Sequence, residues 1–294
     1  MNDQRRPGAV VVGVDASQAS ARAVRFAAEA AVRRSVPLQI VHAASWFDGM
    51  ASPPGDLDVL GLLDTGATAL VETMAGSVAG LLPAERVHTA VTKGDPVDVL
   101  GRASEDASLL VVGGRGVGGV EGLILGSTAS GIVAQAGCPV VVLPDDNAVR
   151  ASSRQTVVVG VEGRADEEVL AFAFGEAAAR RTDLVAVHAW QDVVLETAVR
   201  SLSPLAEWAG VMGDEERVLA EALAGWAEKE PDVAVREVVV RERAARALVA
   251  AGLTAALLVV GHHRRRRLGS TTHAVLHRAN CPVAVVPLPA GASR

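Results

Sequence analysis

The chain is written twice. Val12-Gly13-Val14-Asp15 returns as Val159-Gly160-Val161-Glu162, an offset of 147. Val41-His42-Ala43 returns as Val187-His188-Ala189 at 146, and Val111-Val112-Gly113 as Val259-Val260-Gly261 at 148. The offset then falls to 143, where Gly126-Ser127-Thr128 matches Gly269-Ser270-Thr271 and Cys138-Pro139-Val140 matches Cys281-Pro282-Val283. The second copy has therefore lost five residues between those glycines. A period this long exceeds that of a solenoid and marks a duplicated domain. Whatever fold one half takes, the other takes too, with one site altered. Domains are expected over residues 1–147 and 154–294, joined by the polar stretch from Pro144 to Gln155. Of 294 residues half are hydrophobic, enough for a core in each copy.

Each copy alternates two kinds of pattern. Short β-branched runs predict strands at 9–14, 37–43, 86–92, 108–113 and 138–143 in the first copy. Helices are predicted near 17–34, 57–80, 95–105 and 127–136. Val24, Ala27, Ala28 and Ala31 make an apolar stripe of helical period, repeated by Leu170, Ala173, Phe174 and Ala177. Continuous apolar strands separated by helices describe a parallel sheet covered on both faces. The predicted fold class is α/β: two tandem doubly wound domains, each a five-stranded, mostly parallel sheet.

The stretch from Leu109 to Ser130 carries the chemistry. It reads as a buried strand, a glycine-rich loop and a helix start, with the spacing Gly113-x2-Gly116-x9-Gly126-Ser127. Such a loop brings unpaired backbone N–H groups and the positive end of a helix dipole to one place. Glycine lets the backbone approach a phosphate and tolerates positive φ. Gly113, Gly114, Arg115, Gly116, Val117, Gly118 and Gly119 are expected to wrap phosphates, with Arg115 adding a charge-assisted contact or standing as a solvated loop charge. Gly126, Ser127 and Thr128 open the following helix, where hydroxyls and amides hold a terminal phosphate. In an open parallel sheet, ligands bind at the carboxyl ends of the strands where the strand order reverses.

Three features resemble the universal stress protein family, in its ATP-binding branch: the glycine spacing above, VVVGVDAS over Val10–Ser17, and CPVVVLP over Cys138–Pro144. The resemblance implies the strand order 3-2-1-4-5, which places Asp15 and Gly113 at one crevice. It also implies ATP, with or without Mg, as the ligand, and base contacts at Asp15 and Val41. Gly13 would let the ligand approach the first strand. Asp15 has a second reading, as the cap of the helix beginning near Ser17. Asp48 is a weaker candidate for the ribose. Ala129 departs from the family's hydroxyl residue and removes one phosphate contact. Family subunits pair through their final strands, implying an internal pseudo-dimer of the halves or a homodimer, with Cys138 and Cys281 too far apart for a disulfide.

The second half keeps Gly160, Gly261, Ser270 and Thr271 but reads GHHRRRRLGST from Gly261, with Arg264 in place of the second glycine. Glu162 replaces Asp15, and the Gly94-Asp95-Pro96 turn becomes Arg241-Glu242-Arg243. Three readings stay open: a non-binding copy, an anion site rebuilt on Arg264–Arg267, or a solvated basic surface. Asp192, just past the second strand, stands where an acidic residue bonds a ribose. His273 and His277 share a helix face, but neighbouring arginines would repel a cation, and no metal is expected. His42 and His188 are expected to pack against the first strand of their copies.

Four Phe, four Trp and no Tyr leave few platforms for stacking bases, and a net charge of −6 argues against a polyanion binder. No secretory leader or membrane span is expected, so the chain reads as cytoplasmic. The leading expectation is an ATP-binding, nucleotide-dependent regulator of stress or growth that is not primarily an enzyme. The alternatives are an interaction module whose nucleotide is structural or absent, and an adenylyl transferase or pyrophosphatase, whose loops GVDAS does not resemble.

Overall fold

The computed structural model describes residues 8–45, 59–116, 125–144, 156–163, 166–190, 206–263 and 268–288. The chain divides into two units, Met1–Asn147 and Ala148–Arg294. Among the described residues, no helix is long and apolar enough to cross a membrane.

In the first unit the strands are β1 (Val10–Gly13), β2 (Leu38–Ala44), β3 (Val87–Lys93), β4 (Leu109–Gly113) and β5 (Val140–Leu143). They lie in the order β3-β2-β1-β4-β5, all parallel, with Gly13 opposite Val41 and Val12 opposite Val111. The helices are α1 (Gln18–Arg34), α2 (Val59–Gly76), α3 (Pro96–Ala103) and α4 (Ser127–Gln135). The stripe read from the sequence is the buried face of α1: Val24, Ala27, Ala28 and Ala31 are fully covered. Its small residues let the helix lie close to β1 and β4. Chain order reverses where β1 meets both β2 and β4, and a crevice opens beyond their carboxyl ends.

The second unit repeats this plan with β6 (Thr156–Gly160), β7 (Leu184–Trp190), β8 (Val235–Arg241), β9 (Ala255–His263) and β10 (Val283–Leu288), in the parallel order β8-β7-β6-β9-β10. Its helices are α5 (Glu167–Arg180), α6 (Ala206–Leu223), α7 (Trp226–Lys229), α8 (Ala244–Ala251) and α9 (Ser270–Arg278). Phe174 on α5 stacks on Trp226 at 4.8 Å between ring centroids, an aromatic contact in a mostly aliphatic core. Cys138 and Cys281, just ahead of β5 and β10, are buried thiols.

The units differ where their last two strands end. β4 ends at Gly113, but β9 runs on through His262 and His263, which pair with Pro287 and Leu288 of β10. The backbone that loops away from the first sheet is drawn into the second. Five missing residues shorten the excursion, and the sheet takes up part of what is left.

Candidate functional site

The crevice of the first unit encloses about 530 Å³, within the range of roughly 300–1,000 Å³ usual for small-molecule sites. One wall comes from Gly13, Val14 and Asp15 at the end of β1 and from Val41, His42, Ala43 and Ser45 at the end of β2. The other comes from Gly113–Gly116 after β4 and from Leu125–Ala129 at the start of α4. Pro96 and Leu100 of α3 close it from the side. Every site residue expected in this unit and described by the structure therefore faces one cavity. Val117, Gly118, Gly119 and Asp48 lie outside the described residues.

The phosphate end differs from the sequence expectation in detail. The Gly114 N–H donates to the Leu143 carbonyl at 2.8 Å, and the Gly126 N–H to the Gly114 carbonyl at 2.7 Å. Those two amides hold the loop's shape and are not directed at a ligand. The amides that remain at the helix are those of Ser127, Thr128 and Ala129. An α-helix gives its first residues no internal acceptor, and Gly126, the N-cap, has no side chain to supply one. Ala129 is buried and brings no hydroxyl.

Positive φ is not what the described glycines of this loop provide. Among the described glycines it occurs at Gly94 (132°) and Gly225 (79°), not at Gly113, Gly114, Gly116 or Gly126. What the loop needs is the absence of a side chain. A Cβ on Gly113 would stand 2.9 Å from the Ala19 Cβ of α1, one on Gly114 2.8 Å from the Leu143 oxygen, and one on Gly116 2.4 Å from Asp15 Oδ2. Gly13 lines the cavity and has a packing role as well. The space beside it holds Leu100, whose Cδ1 lies 2.6 Å from where a Cβ would be, so the missing side chain seats α3.

Asp15 joins its two expected roles. Its Oδ1 accepts from the Ser17 N–H at 3.0 Å, the Ser17 hydroxyl at 2.5 Å and the Ser20 hydroxyl at 2.7 Å. Ser17 is the N-cap of α1 and accepts from the Ser20 N–H at 3.3 Å. The carboxylate thus braces the helix start while lining the crevice, with Oδ2 beside Gly116. Sequence reasoning passed over Ser20. Its signal was present in DASQAS, where two serines stand two and five residues after the aspartate.

His42 packs as expected, its Nδ1 meeting the Val14 carbonyl at 2.8 Å. His188 does the same with Val161 at 2.8 Å, and its Nε2 also meets Glu215 Oε2 of α6 at 2.8 Å.

The corresponding crevice of the second unit encloses about 70 Å³. Gly160, Gly261 and Thr271 line it as expected; Glu162, Asp166, His263, Leu248 and Leu288 line it too. A Cβ on Gly261 would touch Leu288 and Val169 at 3.0 Å, so apolar side chains occupy the place of a cradle. Ser270 opens α9 but does not line the cavity. The Glu162 side chain is exposed. Asp192 and Arg264–Arg267 lie outside the described residues. On α9 the rings of His273 and His277 are 4.2 Å apart, and among the described residues no group of three or more His, Cys, Asp or Glu side chains is placed to hold a metal ion.

Comparison with known proteins agrees with this architecture. The model of the universal stress protein family matches residues 8–144 and again 153–287. A universal stress protein of Mycobacterium tuberculosis strain H37Rv is 40% identical over 292 residues, covering 94% of this chain and 95% of that one. A second from the same strain is 37% identical over 297 residues, covering 97% and 99%. Among solved structures, a universal stress protein from Archaeoglobus fulgidus superposes with a TM-score of 0.68 at 18% identity, over 96% of this chain and 99% of that chain.

Proposed function

This chain belongs to the universal stress protein family, as a tandem of two of its domains, and from that premise we propose that the first unit binds ATP and that the protein acts as a nucleotide-dependent regulator of stress or growth. The observation that carries this reading is the convergence, on one cavity of about 530 Å³, of the strand end at Asp15, the loop Gly113–Gly116 and the amino end of α4. The cavity is graded: Val14, Val41 and Ala43 offer an apolar seat for a base, and Arg115, Ser127 and Thr128 offer donors for phosphates.

Binding, not turnover, is the proposed role. The described groups at the phosphate end are amides, hydroxyls and a guanidinium, with the Asp15 carboxylate beside Gly116 engaged by Ser17 and Ser20. Phosphoryl transfer asks in addition for an oriented nucleophile. The second unit is proposed to take no nucleotide, since β9 continues as sheet where the first unit forms its loop.

Titration of ATP into the wild type and Ser127→Glu tests the reading. A carboxylate at the first position of α4 suits the helix dipole, so the fold should be kept, but it occupies the phosphate's place. One ATP per chain is expected, with affinity falling at least about tenfold in the variant, the scale of one lost charge-assisted contact plus repulsion. No ATP binding by the wild type would overturn the proposal. Phosphate release above the level of Ser127→Glu would overturn the non-enzymatic part alone.

A further inference from the structure

We infer that the crevice of the second unit is a site for a small α-amino acid, held by its ammonium on Asp166 and by its carboxylate at the amino end of α9. Ser20 of α1 and Asp166 ahead of α5 are counterparts, 146 residues apart like the buried stripes of their helices. They are 4% and 6% exposed. Each accepts from the backbone where the first strand of its unit ends. Ser20 Oγ takes the Asp15 N–H at 2.8 Å; Asp166 Oδ2 takes the Glu162 N–H at 2.6 Å and the Gly163 N–H at 3.1 Å. The hydroxyl then completes its bonding inside the fold, donating to Asp15 Oδ1 at 2.7 Å. Asp166 instead brings a second oxygen and a charge. Its Oδ1 accepts no hydrogen bond among the described residues and is not sealed from access, and Asp166 lines the cavity of about 70 Å³. Asp166 also stands at the N-cap of α5 without capping it. A carboxylate oxygen this deep, with no donor from the fold, fits a ligand that supplies one.

The same cavity also carries donors. Thr271 and Thr272 line it from the first turn of α9, and Gly269, the N-cap, has no side chain to accept from their amides. Those amides and the positive end of the helix dipole suit a carboxylate. The Thr272 hydroxyl already donates to the Gly261 carbonyl at 3.2 Å, whereas that of Thr271 makes no hydrogen bond among the described residues. A simple anion would satisfy the helix but face Asp166. A simple cation would satisfy Asp166 but face the helix dipole. An α-amino acid carries both charges one carbon apart and answers both. A divalent cation is a poorer fit, since among the described residues no group of three or more His, Cys, Asp or Glu side chains is placed to hold one. Size narrows the class further. At about 10–15 Å³ for each water-sized group, the cavity takes roughly five to seven non-hydrogen atoms, the size of glycine or alanine and far short of a nucleotide. Ala189, Ala244 and Leu248 give an apolar wall for a short side chain.

Amide NMR of the full chain tests the site, by titration with alanine and separately with acetate and methylammonium, each of which carries one of its two charges. Alanine is expected to shift amides at the end of β6, the start of α5, the end of β9 and the start of α9. It should bind at least about tenfold more tightly than either single-charge probe. Asp166→Asn keeps an oxygen for the Glu162 and Gly163 amides but removes the charge. It should weaken alanine at least about tenfold while binding acetate no more weakly than wild type does. Ala189→Leu leaves Asp166 alone and fills the cavity, so it should abolish the alanine shifts and decides the matter should Asp166→Asn not fold. Three results would overturn the inference. One is no alanine-dependent shift in wild type, which would leave Oδ1 to water. Another is acetate or methylammonium binding as tightly as alanine, the mark of a bare helix terminus or a bare carboxylate. The third is wild-type affinity for alanine in a folded Asp166→Asn or in Ala189→Leu. Each of these would leave the nucleotide reading of the first unit untouched.

Discussion

Gly113 and Gly116 stand three residues apart in one motif, yet removing each should do different damage. The Cβ of Gly113→Ala would meet the Ala19 Cβ at 2.9 Å, with backbone behind both atoms. Neither can swing away, so α1 must shift from β4. The expected cost is about 1–3 kcal/mol of stability, measurable by urea unfolding. At Gly116, on the exposed part of the loop, the new Cβ would meet only Asp15 Oδ2, at 2.4 Å. The carboxylate would have to break from Ser17 and Ser20 to make room. Gly116→Ala should therefore unfold at nearly the wild-type temperature but bind ATP roughly tenfold more weakly. If both variants lost stability equally, the division of labour would be wrong. The sequence pattern could not make this division, because which atom a glycine faces is decided by elements far away in the chain. Spacing showed that side chains were unwelcome at these positions. It could not show that one glycine admits a helix and another a carboxylate, or that Gly13 makes way for Leu100.

At the scale of the element, strands and helices were legible because their apolar periods differ, and the stripe on α1 was legible down to its residues. The extension of β9 was not. A run of two histidines and four arginines has neither strand composition nor alternation, and only the loss of five residues hinted that the loop must be shorter. Pairing with Pro287 and Leu288 then carries His262 into the sheet, where it is almost completely buried. Burial first, and the neighbouring His263 second, hold its pKa below the ordinary value of 6.5. The folded protein thus keeps His262 neutral at a pH where the unfolded chain already takes up a proton. Stability contributed above pH 6.5 is lost as pH falls through the folded-state value. His277 shifts the same way, by burial and then by His273, so it adds to the same acid sensitivity. Melting temperatures of wild type and His262→Leu, followed from about pH 8 down to about pH 5, should converge or cross, with the variant losing less on acidification. Parallel curves would show that His262 is not what makes the fold acid-sensitive. A second element-scale expectation concerns α3. Asp95 accepts from Val97 N at 2.8 Å and Asp98 N at 3.4 Å, next to Gly94 at φ 132°. Asp95→Ala should cost about 1 kcal/mol in urea unfolding, and it should loosen the helix that sets Leu100 beside Gly13.

For the whole molecule, duplication doubled the fold and the proposed nucleotide site is single. Crevices of about 530 and about 70 Å³ lie at equivalent strand ends. A ligand that binds only the folded form of one unit stabilises that unit, by about 2.7 kcal/mol at a hundred times its dissociation constant. Hydrogen exchange can read this unit by unit. With saturating ATP, peptides covering β1, the start of α1 and β4 should exchange up to about a hundredfold more slowly where they exchange by opening of the whole unit. Peptides covering β6 and β9 should change little. Protection of β6 and β9 that survives Ser127→Glu would mean that the second crevice binds nucleotide despite its continuous strand, and the single-site account would fail. Protection confined to the first unit, and lost with Ser127→Glu, would fit a copy whose site was given up when its loop joined the sheet. The duplicated fold would then outlast the duplicated function, because the apolar strands that hold a unit together do not depend on the loop that once bound a ligand at their ends.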